Sequence, residues 1–376
     1  MEKILTGNMK KRIVGVGGFR DTILFPLVRG PALTNSIWRK HMEQQVKRIG
    51  VLPSGGDAPG MNAAIRAVVR SAVGRGIGCV GIRRGWNGLI GSDFVPMDTS
   101  SVSHIIEKGG TLLYTARSEE FRTIAGQDKA LATCKLLGLD AIVAIGGDGT
   151  FRGALDLSRR AAETGYHLQV AGIPATIDND IGCSHYTIGF DTACNTAIEC
   201  IDKLRDTMQS HERCSVVEVM GRHAGYLALS VGISVGATAV LIPERKLEFE
   251  RDIVEKIRRA RLAGTTHYMV VVAEGAGNAM EISHQIHEAV GIDPRVTVLG
   301  HIQRGGSPSA KDRETASQMG YRAVRAIAEN FGNCVIATQE GRLAVLNMED
   351  ALKMTKEFGM ERYQILEALT NNWGGI

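Results

Sequence analysis

The sequence has no apolar run long enough to cross a bilayer, no Lys/Arg-rich block and no C-x-x-C pair. The first absence excludes a membrane-spanning helix. The second leaves a formal net charge of +4 over 376 residues, too small and too scattered for the basic surface that a nucleic-acid partner needs. Neither a nucleic acid nor a membrane is therefore expected as a partner. The seven cysteines, an odd number, stand at Cys79, Cys134, Cys183, Cys194, Cys200, Cys214 and Cys334, a spacing that fits neither a disulfide framework nor a zinc site. A reducing, cytoplasmic compartment is the expectation. G-x-x-x-x-G-K-[ST] is also missing, and the glycines of "SGGDAPG" do not fit G-x-G-x-x-G, so any phosphate loop at that turn is of another kind.

What is present is an ordinary globular composition, 44% hydrophobic and 22% charged, at a length beyond that at which one core usually stops growing. Two domains are expected. Residues 1–42 have neither helical periodicity nor strand alternation. Arg20, Asp21, Pro26 and Arg29 interrupt their apolar stretches, against a signal or transit peptide. This segment, including its "GVGGF", reads as an extension, with the domain starting near Met42. From there, short apolar runs at 49–52, 79–82, 141–145, 168–173, 215–219, 238–242, 267–273 and 296–299 alternate with amphipathic segments. Ala64, Ile65, Val68, Val69, Ala72 and Val73 form one helical stripe; Phe190, Ala193, Ala197, Ile201 and Leu204 form another. The alternation predicts an α/β fold with mainly parallel sheets, in which ligands bind at the strand C-termini.

The unusual residues cluster at those ends. "SGGDAPGMNAAIR" follows the first strand and opens a helix; its glycines suit either close phosphate approach or tight packing. In "GGDGT" a single acid, Asp148, stands among glycines, which favours a Mg²⁺ ion beside phosphate oxygens over an N-cap in a turn. "PATIDND" carries Asp178 and Asp180 around Asn179. The pair repel each other, so either a cation balances them while one removes a proton from an alcohol, or all three residues cap local amides. Arg117, Arg213, Arg222, Arg295 and Arg304, with His301, lie in further loops and strand ends. Singly each reads as a surface residue; together they fit a site that neutralises more than one phosphate.

From about Lys47 to near the C-terminus the chain resembles the bacterial-type ATP-dependent 6-phosphofructokinases. The resemblance rests on "SGGDAPGMNAAIR", "GGDGT", "TIDND", "TIGFDTA", "VVEVMGRHAGYLAL" and "TVLGHIQRGGSP", in that order. "GGDGT" alone is shared with NAD and diacylglycerol kinases. The resemblance implies two Rossmann-like three-layer α/β/α domains. The large ATP-binding one spans 43–189 plus 303–353, the small sugar-phosphate-binding one 190–302 plus 354–376.

It also implies transfer of a phosphoryl group from MgATP to the 1-hydroxyl of fructose 6-phosphate. Asp178 takes the role of general base and Asp148 that of the Mg²⁺ ligand. Gly56, Arg117, Ser118, Gly147, Asp148, Gly149 and Thr150 line the nucleotide. Thr176, Ile177, Met220, Gly221, Arg222 and Glu274 hold the sugar and the transferring group; His301, Ile302, Gln303 and Arg304 surround the 6-phosphate. Arg117 and Arg222 disperse the transition-state charge, and Asp180 orients its neighbours. Arg213 and Arg295 match arginines supplied by a neighbouring subunit, which implies a homotetramer with shared sites.

Pyrophosphate-using members typically carry Asp at Gly149 and Lys at Ala175, so this chain favours ATP, although Gly is commoner than Ala175 in the ATP-using bacterial enzymes. Arg66, Arg70 and Arg205 match part of an allosteric cluster for ADP or phosphoenolpyruvate. Thr99, Thr238, Ala263, Thr265 and Thr266 replace charged members of it, so weakened or altered control is expected. The competing readings are a pyrophosphate-dependent enzyme, a non-catalytic sugar-phosphate sensor and a NAD kinase. "MGR" and "GHIQRGG" oppose the last.

Overall fold

The computed structural model describes residues 45–371. The expected extension 1–42, its "GVGGF" and the domain start near Met42 lie outside the described residues. The described chain builds a seven-stranded sheet of order β11-β10-β5-β4-β1-β2-β3 and a four-stranded sheet of order β7-β8-β6-β9. The seven strands are β1 (Arg48–Pro53), β2 (Gly78–Ile82), β3 (Phe94–Met97), β4 (Ala141–Gly146), β5 (Gln169–Pro174), β10 (Cys334–Gln339) and β11 (Arg342–Asn347). The four are β6 (Cys214–Val219), β7 (Ala239–Leu241), β8 (Tyr268–Ala273) and β9 (Arg295–Val298). β4, β5 and β8 are buried along their whole length, as their unbroken apolar runs require of parallel strands covered on both faces.

All eight apolar runs are strands, and both amphipathic stripes are helices, Met61–Val73 and Phe190–His211. Three strands escaped the pattern. β3 is four residues long and includes Pro96, tolerable because it lies at the sheet edge, antiparallel to β2. β10 and β11 form an antiparallel hairpin around Glu340 and Gly341, both with positive φ (49° and 75°), the pair that a type I′ turn demands. The sheets are thus mainly parallel, with antiparallel strands at the two edges of the larger one.

One apolar cluster runs from Ile49 and Val143 through Phe190, Ala197 and Ile201 to Val217 and Val271. The helix Phe190–His211 therefore contributes to a core continuous between the two sheets. The helix Met61–Val73 packs against the helix Ala310–Ala328 so closely that a Cβ on Gly320 would lie 2.6 Å from that of Ala67. Register then sets the site: Pro53 pairs with Ile145 and Gly146 with Pro174, so the loops after β1, β4 and β5 emerge side by side.

Candidate active site

The three loops are tied to one another by their main chains. Ser54 N–H donates to Ile145 O and Ala175 N–H to Gly146 O. Thr150 is buried, and its hydroxyl donates to Ser54 O at 2.9 Å. Gly146 has to be glycine, because a Cβ would lie 2.4 Å from that same carbonyl. Gly147 precedes the helix Asp148–Glu163, and the Cβ positions of Gly147 and Gly149 face open space. The loop thus offers main-chain N–H groups at a helix N-terminus, an anion-binding arrangement. Asp148 stands in the first turn; burial pushes its carboxyl up, Asp180 pushes it further, and Arg152 opposes both.

Asp178 is only 7% exposed, and its Oδ1 is buried without a hydrogen-bond partner. Burial is the main cause of its raised pKa; Asp180 and Glu274 add to the rise, while Arg304 and Arg222 oppose it. Its N–H donates to Thr176 Oγ1 at 3.2 Å. Asn179 takes a left-handed conformation, φ 52°, an accessible state for Asn. Asn179 is otherwise held by Thr187, whose hydroxyl donates to Thr176 O at 2.6 Å and to Asn179 Oδ1 at 3.3 Å. Ile177 is buried beneath the turn and Asp180 is exposed.

The smaller sheet brings its own strand ends. Glu218 pairs with Val272 and with Val298, so the segments after β6, β8 and β9 also emerge together. Glu274 Oε1 accepts from the N–H groups of Gly221 (3.2 Å) and Arg222 (2.6 Å), fixing a strained corner in which both residues have positive φ. Met220 N–H donates to the buried Gln303 Oε1 at 3.4 Å. His301 and Ile302 are exposed, and Arg304 is half-buried.

Two of the expected residues do not join this group within one chain. Arg213 directly precedes β6, and Arg295, the first residue of β9, pairs with Ser215. Both stand at the strand N-termini, a strand length of roughly 20 Å from Met220. Arg117 and Ser118 lie on the loop before the short helix Glu120–Arg122, with Arg117 exposed and its carbonyl accepting from Asn87 Nδ2.

The sequence reading missed several positioning residues. Buried Asn62 donates to Lys108 O and Gly109 O and accepts from Leu112 N–H, so it shapes the "GTLLYTAR" loop. Its place inside "GMNAAIR", on the buried face of a helix, is a polar residue where an apolar one is expected. Trp86 stacks on Phe121 with centroids 4.5 Å apart, and its buried Nε1 has no partner. No local pattern joins two aromatics thirty-five positions apart.

The arrangement gathers glycine-rich loops from one sheet, and turns carrying Arg222, Glu274 and Arg304 from the other, around the Asp178 carboxyl, whose Oδ1 has no partner. A phosphofructokinase family model matches residues 48–327. The chain belongs to the phosphofructokinase family. It is 47% identical, over 325 residues, to the ATP-dependent 6-phosphofructokinase of Clostridium botulinum strain Hall, covering 86% of this chain and the whole of that protein. The same identity and coverage relate it to the ATP-dependent 6-phosphofructokinase of Alkaliphilus metalliredigens. The solved phosphofructokinase of Saccharomyces cerevisiae superposes with a TM-score of 0.78 at 31% identity, covering 86% of this chain and 46% of the yeast one. This phosphofructokinase chain thus spans about half of the yeast chain and the whole of these two bacterial relatives.

Proposed function

We propose that this phosphofructokinase transfers the terminal phosphoryl group of ATP to the 1-hydroxyl of fructose 6-phosphate, giving ADP and fructose 1,6-bisphosphate. The observation that carries the reading is the Asp178 carboxylate. Its Oδ1 is buried and unpartnered, and its charge lies within the influence of Arg304 and Arg222. A buried acceptor of this kind needs a donor, and a substrate hydroxyl supplies one.

As the base, Asp178 takes the hydroxyl proton while the oxygen attacks the γ-phosphorus and the bond to the ADP oxygen breaks. Arg117 and Arg222 act on the charge spread over the transferring group. The main-chain N–H groups of Gly56, Gly147 and Gly149 face the nucleotide phosphates, with Thr150 and Ser118 beside them. Thr176 and Ile177 set the turn; Met220, Gly221 and Glu274 frame the sugar. His301, Ile302, Gln303 and Arg304 surround its 6-phosphate.

Asp148 and Asp180 repel each other and both offer hard oxygen donors, a fit for Mg²⁺ shared with phosphate oxygens. Mg²⁺ held there by Asp148 would supply positive charge beside the phosphates, while Asp180 balances the turn. The far placement of Arg213 and Arg295 supports a site completed by a second copy, in a homotetramer working in the cytoplasm. The large domain expected over residues 43–189 plus 303–353 serves the nucleotide; the small one expected over 190–302 plus 354–376 serves the sugar phosphate.

A coupled assay with fructose 6-phosphate and either ATP or pyrophosphate tests this reading. Turnover with ATP and Mg²⁺ is expected. Turnover with pyrophosphate alone would replace the donor, and none with either would leave a sugar-phosphate sensor.

A further inference from the structure

Behind the turn that carries Asp178 and Asp180 runs the segment between the helices Met348–Ala351 and Met360–Asn371. Lys356 enters the turn from this segment. Its Nζ donates to Asn179 O at 2.7 Å and to His185 O at 3.2 Å. Asn179 Nδ2 donates to the same His185 carbonyl at 3.3 Å, so ammonium and amide close the two ends of the turn on each other. The ammonium also lies 4.8 Å from the centroid of the Tyr226 ring, at the start of the helix Tyr226–Ser234 that follows the Met220–Arg222 corner. Phe358 packs on that ring with centroids 4.9 Å apart. At the segment's other end, Met354 O approaches Gly182 so closely that a Cβ there would meet it at 1.9 Å. Residues 354–358 therefore form a strap from the turn after β5 to the helix that follows the β6 corner.

We propose that Lys356 is a positioning residue for phosphoryl transfer, clamping the turn so that Asp178 and Asp180 are held in their working orientation. This inference rests on the reading of Asp178 as the base. The carbonyl that Lys356 grips belongs to the peptide between Asn179 and Asp180, next to the residue whose left-handed backbone aims the two carboxylates. The lysine head also places positive charge near Asp180, against the repulsion between the acids. An apolar residue would fill the same space without the desolvation that pushes the Lys356 ammonium down to about 8, a fall that Asp180 and Cys183 partly offset. Packing alone does not explain a lysine at this place.

The test compares the full-length wild type with Lys356→Met, which keeps the length and apolar stem, and with Lys356→Arg and Lys356→Gln, each alone and in an Asp178→Asn background. Misplacing the base by a fraction of an ångström lowers kcat of Lys356→Met by about 10- to 100-fold while both KM values stay within about threefold. Lys356→Arg recovers most of that loss, and Lys356→Met adds less than about twofold to Asp178→Asn, because the lysine acts through the base. A folded Lys356→Met with kcat within twofold of wild type overturns the proposal. So does a loss fully additive with Asp178→Asn, or failure of both Lys356→Met and Lys356→Gln to fold, which makes the residue a determinant of the fold. A wild type inactive with every donor overturns the reading of the site instead.

Discussion

Arg304 donates from Nη1 to the main-chain carbonyl of Asp57 at 3.0 Å, joining the segment after β9 to the glycine-rich loop after β1. The contact links a side chain assigned to the sugar phosphate with a loop assigned to the nucleotide. A Cβ on Gly56 would lie 2.9 Å from the same nitrogen, so a methyl there has to move the guanidinium. Gly56→Ala should therefore raise KM for fructose 6-phosphate as well as for ATP, each by about tenfold, the equivalent of about 1.4 kcal/mol for a disturbed charged contact. Steady-state kinetics decides it; an unchanged sugar KM would separate the two loops.

Asp178→Asn should divide activity from stability. As general base the carboxylate is worth about 10²- to 10⁴-fold in kcat, which the amide loses. Burial and the neighbouring acids raise the carboxyl's pKa in the folded protein. Its stabilising contribution is then complete below the unfolded value and is lost as pH rises through the folded one. At neutral pH the ionised group is a cost, and the amide removes that cost. The melting temperature of the ligand-free variant should rise by about 1–3 °C. A fall in melting temperature, or an active variant, would refute the account.

The same displacement predicts the acid side of the pH profile. A base that must be ionised loses activity as pH falls through its pKa, and kcat/KM reports that value for the free enzyme. The acid limb of kcat/KM for fructose 6-phosphate should lie above the ordinary carboxylate value of 3.8, since burial and the Asp180 charge both raise Asp178. It should vanish in Asp178→Asn. A profile flat down to the ordinary range would mean that Arg304 and Arg222 outweigh desolvation.

Much of this site was legible because its chemistry is local. β4 and β5 announce themselves as unbroken apolar runs, and Gly146–Thr150 and Thr176–Asp180 follow directly at their ends. Apart from β10, whose buried apolar run Cys334–Ala337 is as readable as that of β4, the parts that escaped depend on distance or on edges. β3 carries a proline and β11 is only half-buried, so neither shows the burial pattern of an interior strand. Asn62 shapes a loop some fifty residues away, and Lys356 reaches a carbonyl 177 residues back. Contacts of that kind are made by tertiary packing and leave no periodic mark.

Control by phosphorylated effectors should be weak. Arg205, one of three arginines matching a basic cluster, has its Nη2 engaged by the Val235 carbonyl. Thr238, where that cluster has an acid, is buried, and its hydroxyl accepts from Met269 N–H at 3.2 Å. Each missing charged contact removes about 1.5–3 kcal/mol. Titration with ADP or phosphoenolpyruvate should therefore change the activity at subsaturating fructose 6-phosphate by less than about twofold. A strong sigmoidal response to either would show that other residues have taken over the role.

Donor choice can be tested at a position the protein itself leaves open. Gly149 is the second residue of the helix Asp148–Glu163, and no atom lies within 4 Å of the place its Cβ would occupy. A Cβ there displaces no protein atom, and an acid in a first helical turn is favourable. Gly149→Asp should thus fold normally, with a melting temperature within about 2 °C of the parent. The new charge acts on the incoming nucleotide, and repulsion of one or more kcal/mol from an adjacent phosphate should raise KM for ATP by at least about tenfold. An unchanged ATP KM in a folded variant would place the nucleotide phosphates away from this helix end.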